Sequence, residues 1–307
     1  MLPRYNGFEA EATPSVSSEF AAVAAVAWHS MLPETVARAE GSPALAPVPL
    51  IDAWRQPASR VQRSGGLDPL LRGALRQRAG AADAIYAEGA RNGFLGAALG
   101  PALDLAALDV MRGRDLGLAS YGSARRALGL PAVRTFDELA AGGPDDNNET
   151  SPSTLPASAQ RRLAERLREL YGRKAALGGT VEDEAEAVGG VDLLVGVLLE
   201  RPLNGGCVGA TLGAIIAEQF VRTRNGDRLW FENAASSPPL AAAFALGARA
   251  TPASASGLVG IDEVKDAASA EEAADRVVAA LRKVRVADLL RLDSGIGEDV
   301  GGDALHV

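Results

Sequence analysis

The segment Leu105-Ala-Ala-Leu-Asp-Val-Met-Arg-Gly-Arg-Asp-Leu-Gly-Leu-Ala-Ser-Tyr-Gly122 is the strongest constraint on the fold. It sets Asp109, Arg112, Arg114 and Asp115 within seven residues, between an apolar run and a Gly-Leu exit. Surface helices scatter their charges along an outer face. Here guanidinium and carboxylate groups crowd the end of a segment whose remainder reads as buried. A buried charge must be paired or must meet a charged ligand, because an isolated ion is expensive to take out of water. Arg112 can therefore form an internal ion pair with Asp109 or Asp115, or contact an anionic ligand, while Arg114 and Asp115 are expected to fix helix ends.

The 307 residues suffice for one large domain or two small ones. Apolar residues make up 47 % of the chain, Ala and Leu are abundant, and aromatics reach only 5 %, which together favour a mainly α fold. The formal net charge of −8 excludes nucleic acid and an anionic membrane surface as expected partners. No apolar run reaches the roughly 18 residues of a membrane span, and Met1-Leu-Pro-Arg-Tyr has no apolar core of a signal peptide. The single cysteine, Cys207, excludes an internal disulfide and any Cys-based zinc or iron–sulfur centre, and is expected as a buried small hydrophobe. With two histidines, a multi-His metal site is also excluded. His306 is one residue from the end, so a metal held through imidazole would sit on His29.

A first helix is predicted from about Ser17 to Ser30, capped by Ser17 or Ser18, with Glu19 in its first turn and Pro33 limiting its end. Phe20, Val23, Ala24, Ala27 and Met31 form its apolar stripe, and His29 shares a neighbouring face with Ala22 and Val26 that could accept a flat apolar ligand. Short helical turns are predicted near Ile51–Trp54 and from Leu67, and one or two helices between Ala82 and Tyr121, broken near Gly100-Pro101. Residues 142–157 are polar and Pro-rich and read as a loop. Ser158 is expected to cap a helix carrying Leu163, Leu167, Leu170 and Tyr171 inward. Residues 173–190 look like an acidic insertion, followed by helices over about 191–200 and 207–223 and a tight turn at Asn225-Gly226. Residues 235–260 read as a low-complexity loop, 270–283 as a last helix, and 298–307 as an acidic tail.

Several blocks, in order, resemble the animal haem peroxidase family. Pro14-Ser-Val-Ser-Ser-Glu-Phe through Trp28-His-Ser-Met-Leu-Pro33 resembles its proximal-histidine helix. Gly66-Leu-Asp-Pro-Leu-Leu-Arg-Gly73, Asp109-Val-Met-Arg-Gly-Arg-Asp115, Thr135-Phe-Asp-Glu-Leu139 and Val191-Asp-Leu-Leu-Val-Gly196 follow. The late block Ala217-Glu-Gln-Phe-Val-Arg-Thr-Arg-Asn-Gly-Asp-Arg-Leu-Trp-Phe-Glu-Asn233 is the longest, and Leu281 to Leu290 resembles the closing helix. Arg-Gly-Arg-Asp and Asn-Gly-Asp-Arg are nearest to the dual-oxidase and peroxinectin branches. The resemblance spans residues 4–297, with insertions near 142–157, 173–190 and 235–260, and implies the proximal, C-terminal half of the catalytic domain: a partial helical domain with long irregular loops.

The resemblance implies haem b as cofactor, hydrogen peroxide and a small electron donor as partners, and an extracellular or ectodomain setting. His29 takes the axial-ligand position, and Asp109 stands where the family usually has the Asn that accepts from the histidine Nδ1–H. A carboxylate accepts more strongly than an amide, giving the imidazole more imidazolate character and favouring ferric iron. Arg112 matches an arginine that meets a haem propionate, whereas Val26 stands where a second such arginine is frequent. The distal His and Arg of the family precede the first matching block, so no catalytic residue is expected in this half and turnover by this chain alone is expected to be residual. The alternatives are a haem-free peroxidase-homology module serving as an interaction surface, and a haem-dependent fatty-acid dioxygenase.

Overall fold

The first helical segment changes its winding twice before it delivers His29. In the computed structural model, which describes residues 2–39, 46–54, 66–93, 104–144, 155–172, 181–230 and 233, a π-helical turn spans Phe20–Ala24, α1 spans Ala25–Ala27 and a 3-10 turn spans Trp28–Met31. Ser17 is the residue that caps it, its Oγ accepting from the Phe20 N–H at 3.1 Å. Leu32, before Pro33, is extended and ends the segment, as the steric demand of the following proline ring requires.

A two-residue antiparallel ladder follows, β1 (Thr35–Val36) against β2 (Val48–Pro49). Eight further α-helices lie beyond it among the described residues and one directly abuts it: α2 (Leu50–Trp54), α3 (Asp68–Arg76), α4 (Leu105–Asp115), α5 (Tyr121–Ala127), α6 (Phe136–Ala140), α7 (Ala157–Tyr171), α8 (Val181–Gly189), α9 (Leu193–Leu199) and α10 (Ala210–Asn225), with a π turn at Gly89–Gly93. The mainly α expectation therefore holds. The break near Gly100-Pro101 and everything predicted for 235–260, 270–283 and the tail fall outside the described residues.

The charged helix α4 is fixed at both ends by local chemistry. Asp104 caps it, its Oδ1 accepting from the Ala106 and Ala107 N–H groups at 3.0 and 3.3 Å. At the other end Gly117 adopts φ +64°, and the Leu118 and Gly117 N–H groups return to the carbonyls of Gly113 and Arg114, which closes the orphan carbonyls in a Schellman arrangement. The Gly-Leu exit seen in the sequence is this cap.

One main core forms where the first segment, α5, α6, α7, α8, α9 and α10 meet, built on Val23, Ala27, Tyr121, Phe136, Leu139, Leu167, Val188, Leu194, Val197 and Leu212. Gly196 is demanded by this packing: a Cβ there would lie 2.2 Å from Cγ of Tyr121. Four sequence expectations change. The second half of the acidic stretch 173–190 does not loop out but forms α8, whose Val188 is wholly buried. Helix α7 starts one residue before Ser158, after Pro156, so Ser158 is not its cap. Its buried face carries Ala164 and Leu167 while Leu170 is 64 % exposed. Asn225 ends α10 and Gly226 caps it with φ −82°, so the pair closes a helix rather than making a separate tight turn.

The late charged block on α10 holds the N-terminal segment in place. Gln219 Oε1 accepts from the Ser17 N–H at 2.8 Å, Arg222 donates to the Ser15 carbonyl at 2.9 Å, and Arg224 donates to the Pro3 carbonyl at 2.8 Å. The Glu9 N–H donates to the Asn225 carbonyl and Asn225 Nδ2 returns a bond to the Glu9 carboxylate. The Arg224 guanidinium stacks over Tyr5 and that of Arg228 over Phe8. These contacts fix the entry of the chain into the helix that carries His29.

Candidate functional site

His29 stands in the 3-10 turn at the end of the first segment, and Asp109 in the middle of α4, 80 residues later. Packing of the first segment on α4 brings them together: His29 Nδ1 lies 2.8 Å from Asp109 Oδ2. Their environments differ. The Asp109 side chain is 5 % exposed and the His29 side chain 35 %. A buried carboxylate thus holds the inner nitrogen of a ring whose outer edge reaches solvent. With Nδ1–H committed to the carboxylate, the neutral tautomer leaves the Nε2 lone pair outward, the arrangement that prepares a histidine to bind a metal. Nε2 has no hydrogen-bond partner among the described residues.

The face shared with Ala22 and Val26 is not a ligand surface. Both residues are buried, Val26 within the main core, so that face packs against protein and the imidazole alone projects from it. Trp28 beside it is 40 % exposed.

Arg112 lies one helical turn beyond Asp109 on α4 and is exposed; among the described residues it pairs with neither Asp109 nor Asp115, correcting the internal ion-pair alternative. Arg114 takes the pairing role instead. Its Nε and Nη2 grip the two carboxylate oxygens of Asp192 at 2.9 and 2.7 Å, and Tyr171 donates to the same carboxylate at 2.6 Å. The Arg114 hydrogen bonds hold the Asp192 carboxyl below its usual range despite its partial burial. Asp192 precedes α9, so this clamp ties the end of α4 to the start of α9.

Tyr86 packs against the main core. Its hydroxyl is buried and has no hydrogen-bond partner among the described residues. Burial, and after it the negative charge of Asp109, push its pKa upward, so the hydroxyl stays protonated.

A second buried polar cluster was not foreseen. Glu200 receives Arg125 Nη1 at 2.5 Å, Tyr121 Oη at 2.8 Å, Thr211 Oγ1 at 2.5 Å and the Thr211 N–H at 2.8 Å, and Arg125 Nε donates to the Pro131 carbonyl. Arg125 is 1 % exposed. The only trace in the sequence is a glutamate closing the apolar run Leu193-Leu-Val-Gly-Val-Leu-Leu199. This cluster joins α5, α9 and α10 and lies in the packing of the core. Cys207, expected as a buried hydrophobe, is exposed. Among the described residues no group of three His, Cys, Asp or Glu side chains could enclose a metal ion. A metal held by His29 would therefore take its remaining ligands from outside the described residues, as a macrocycle would supply them. The donor set, one imidazole oriented by Asp109, with the exposed Arg112 one turn from Asp109 on α4, fits such a group.

The family model described as animal haem peroxidase matches residues 1–241. Peroxinectin A of Dictyostelium discoideum is 30 % identical over 232 residues, which are 75 % of this chain and 37 % of that protein. Heme peroxidase 2 of Caenorhabditis elegans is 31 % identical over 235 residues, 75 % of this chain and 29 % of that protein. Among solved structures, peroxidase A from Dictyostelium discoideum aligns with a TM-score of 0.59 at 30 % identity, covering 77 % of this chain and 40 % of that one. The chain thus spans well under half the length of these relatives.

Proposed function

The chain belongs to the animal haem peroxidase family, and from that premise we propose that it binds haem b through His29 and serves the oxidation of a small electron donor by hydrogen peroxide. Haem iron, when bound, supplies the redox chemistry that reduces peroxide and oxidises the donor. The observation that carries the reading is the 2.8 Å contact from His29 Nδ1 to the buried Asp109. Asp109 fixes the ring tautomer, holds the Nδ1 proton and leaves Nε2 outward, where it would hold the haem iron. Its negative charge makes the imidazole a stronger donor than an amide partner would, which favours the ferric state. Arg112, exposed and without an internal ion pair among the described residues, would be the cation that meets a haem propionate.

Among the described residues the acid–base step on peroxide is assigned to none, since the one histidine there, His29, is committed to Asp109. Such help is worth about 10² to 10⁴ in rate, so the chain by itself should turn over only slowly. Hemin titration followed by Soret absorbance tests the proposal. A ligated spectrum in the parent chain that His29→Ala abolishes supports it, and identical spectra sink it. The second reading, a haem-free interaction module, is favoured by one observation: Val26, where the family often carries another propionate arginine, is packed into the core. Identical titrations of parent and His29→Ala would favour that module.

A further inference from the structure

We propose a second binding site, apart from His29: the cavity between residues 81–85, α6, α7 and α9 takes a small aliphatic monocarboxylate, its apolar body against the leucines of α7 and α9 and its carboxylate on Arg201.

The cavity holds about 350 Å³, within the range of about 300–1,000 Å³ of pockets that enclose small molecules. Ile85, Ala140, Leu163 and Leu199 give it apolar walls. Leu163 and Leu199 pack on the edge of the main core, while Ile85 is 64 % exposed. An apolar body seated there takes this surface out of water, which is favourable in proportion to the area covered. Among the described residues no aromatic ring lines the cavity, so it fits aliphatic bulk rather than a stacked ring.

The charges of the lining select an anion. Among the described residues Asp83, Arg162, Glu200 and Arg201 border the cavity. Glu200 is committed to Arg125, Tyr121 and Thr211, and Asp83 accepts from the Ile85 N–H at 2.8 Å. Neither arginine meets a carboxylate among the described residues. Arg162 is exposed, and its side chain makes no hydrogen bond there. Arg201 is partly buried. Its guanidinium makes one long hydrogen bond, from Nη2 to the Gly143 carbonyl at 3.3 Å, and its buried Nε has no partner among the described residues. A desolvated N–H without an acceptor is costly, and a carboxylate is the acceptor that satisfies a guanidinium best. The backbone is shaped to hold this arginine in place. Gly142 has φ +106°, and a Cβ there would lie 2.1 Å from Arg201 Cγ, so only glycine leaves room for the stem. Two cations without a counter-ion against one open carboxylate leave the cavity net positive.

The test uses the full 307-residue chain, free of haem. Calorimetric titration with sodium cyclohexanecarboxylate should give saturable binding at one site. Cyclohexylmethanol and cyclohexylmethylamine, of similar bulk without the negative charge, should each bind at least about tenfold more weakly, the scale of one hydrogen bond to a charged group. Arg201→Met keeps an apolar stem over Gly142 and removes the guanidinium. It should weaken the carboxylate by at least about tenfold and leave the alcohol unchanged. Absence of saturable binding, an alcohol or amine that comes closer to the carboxylate than this, or a smaller loss in Arg201→Met overturns the proposal. Should Arg201→Met fail to fold, Ala159→Phe decides by filling the cavity from α7: carboxylate binding must disappear, and its persistence overturns the proposal. None of His29, Asp109 and Arg112 borders the cavity, so this result and that of the hemin titration are read separately.

Discussion

Replacing Glu200 by glutamine should destabilise this chain more than almost any other change of comparable size. The substitution preserves shape and removes one charge. Arg125, 1 % exposed, then loses the negative charge it meets at Glu200. The amide brings a second difficulty. Both carboxylate oxygens accept from donors: Oε1 from Arg125, Tyr121 and the Thr211 hydroxyl, Oε2 from the Thr211 N–H. Whichever position takes the amide nitrogen, donor meets donor. Removing one member of a buried ion pair costs about 3–5 kcal/mol. At about 2–4 °C per kcal/mol for a domain of this size, the midpoint should fall by roughly 6–20 °C. Thermal and urea unfolding of the full chain, followed by far-ultraviolet circular dichroism, measures it. Adding Arg125→Met to Glu200→Gln should recover part of the loss, because the stranded cation is gone. A loss below about 1 kcal/mol in the single variant would refute the reasoning, since it would mean that water reaches the pair and screens it.

Three further outcomes follow from the same geometry. Asp109→Asn should raise the reduction potential of the hemin-loaded chain, because an amide accepts less strongly from Nδ1–H; an unchanged potential in a spectroelectrochemical titration would remove Asp109 from the tuning of the site. Gly196→Ala places a methyl against the Tyr121 ring, 2.2 Å from Cγ, and should cost about 1–3 kcal/mol in chemical denaturation. The surroundings hold all four tyrosine hydroxyls above the ordinary value: burial pushes Tyr5, Tyr86 and Tyr121 up, and burial with the Asp192 hydrogen bond pushes Tyr171 up to about 12. Because these folded-state values exceed the unfolded value of about 10, the stabilisation they carry is complete below pH 10 and is lost as pH rises through the higher native values. Tyrosinate absorbance should therefore be lower in the native chain at pH 10 than in urea; equal absorbance in the two would contradict the burial of these hydroxyls.

What could be read from the sequence was whatever depends on neighbours along the chain. Ser17 caps the first helix, Leu32 before Pro33 ends it, and Gly117 closes α4, because each acts through a backbone group within a few residues of itself. The order of blocks pointed to the family, and the resemblance singled out His29 and Asp109. That the two stand 2.8 Å apart, one buried and one half-exposed, is a matter of how the first segment lies on α4, and no local pattern encodes it.

The tertiary structure alone decided which charges meet. Within the dense run from Asp109 to Asp115, sequence spacing offered Arg112 two carboxylates one turn away, yet Arg112 is exposed and Arg114 reaches Asp192, 78 residues distant. Glu200 finds Arg125 at a separation of 75 residues, and the late block on α10 holds Pro3 through Ser17 across more than 200. Residue 170, apolar and in phase with its helix, stays outside because α7 turns Ala164 and Leu167 to the core instead. Hydrogen bonds and caps are short-ranged and follow the chain, while desolvation depends on what packs overhead; the identity of a buried ion's partner is therefore fixed only when the helices have docked.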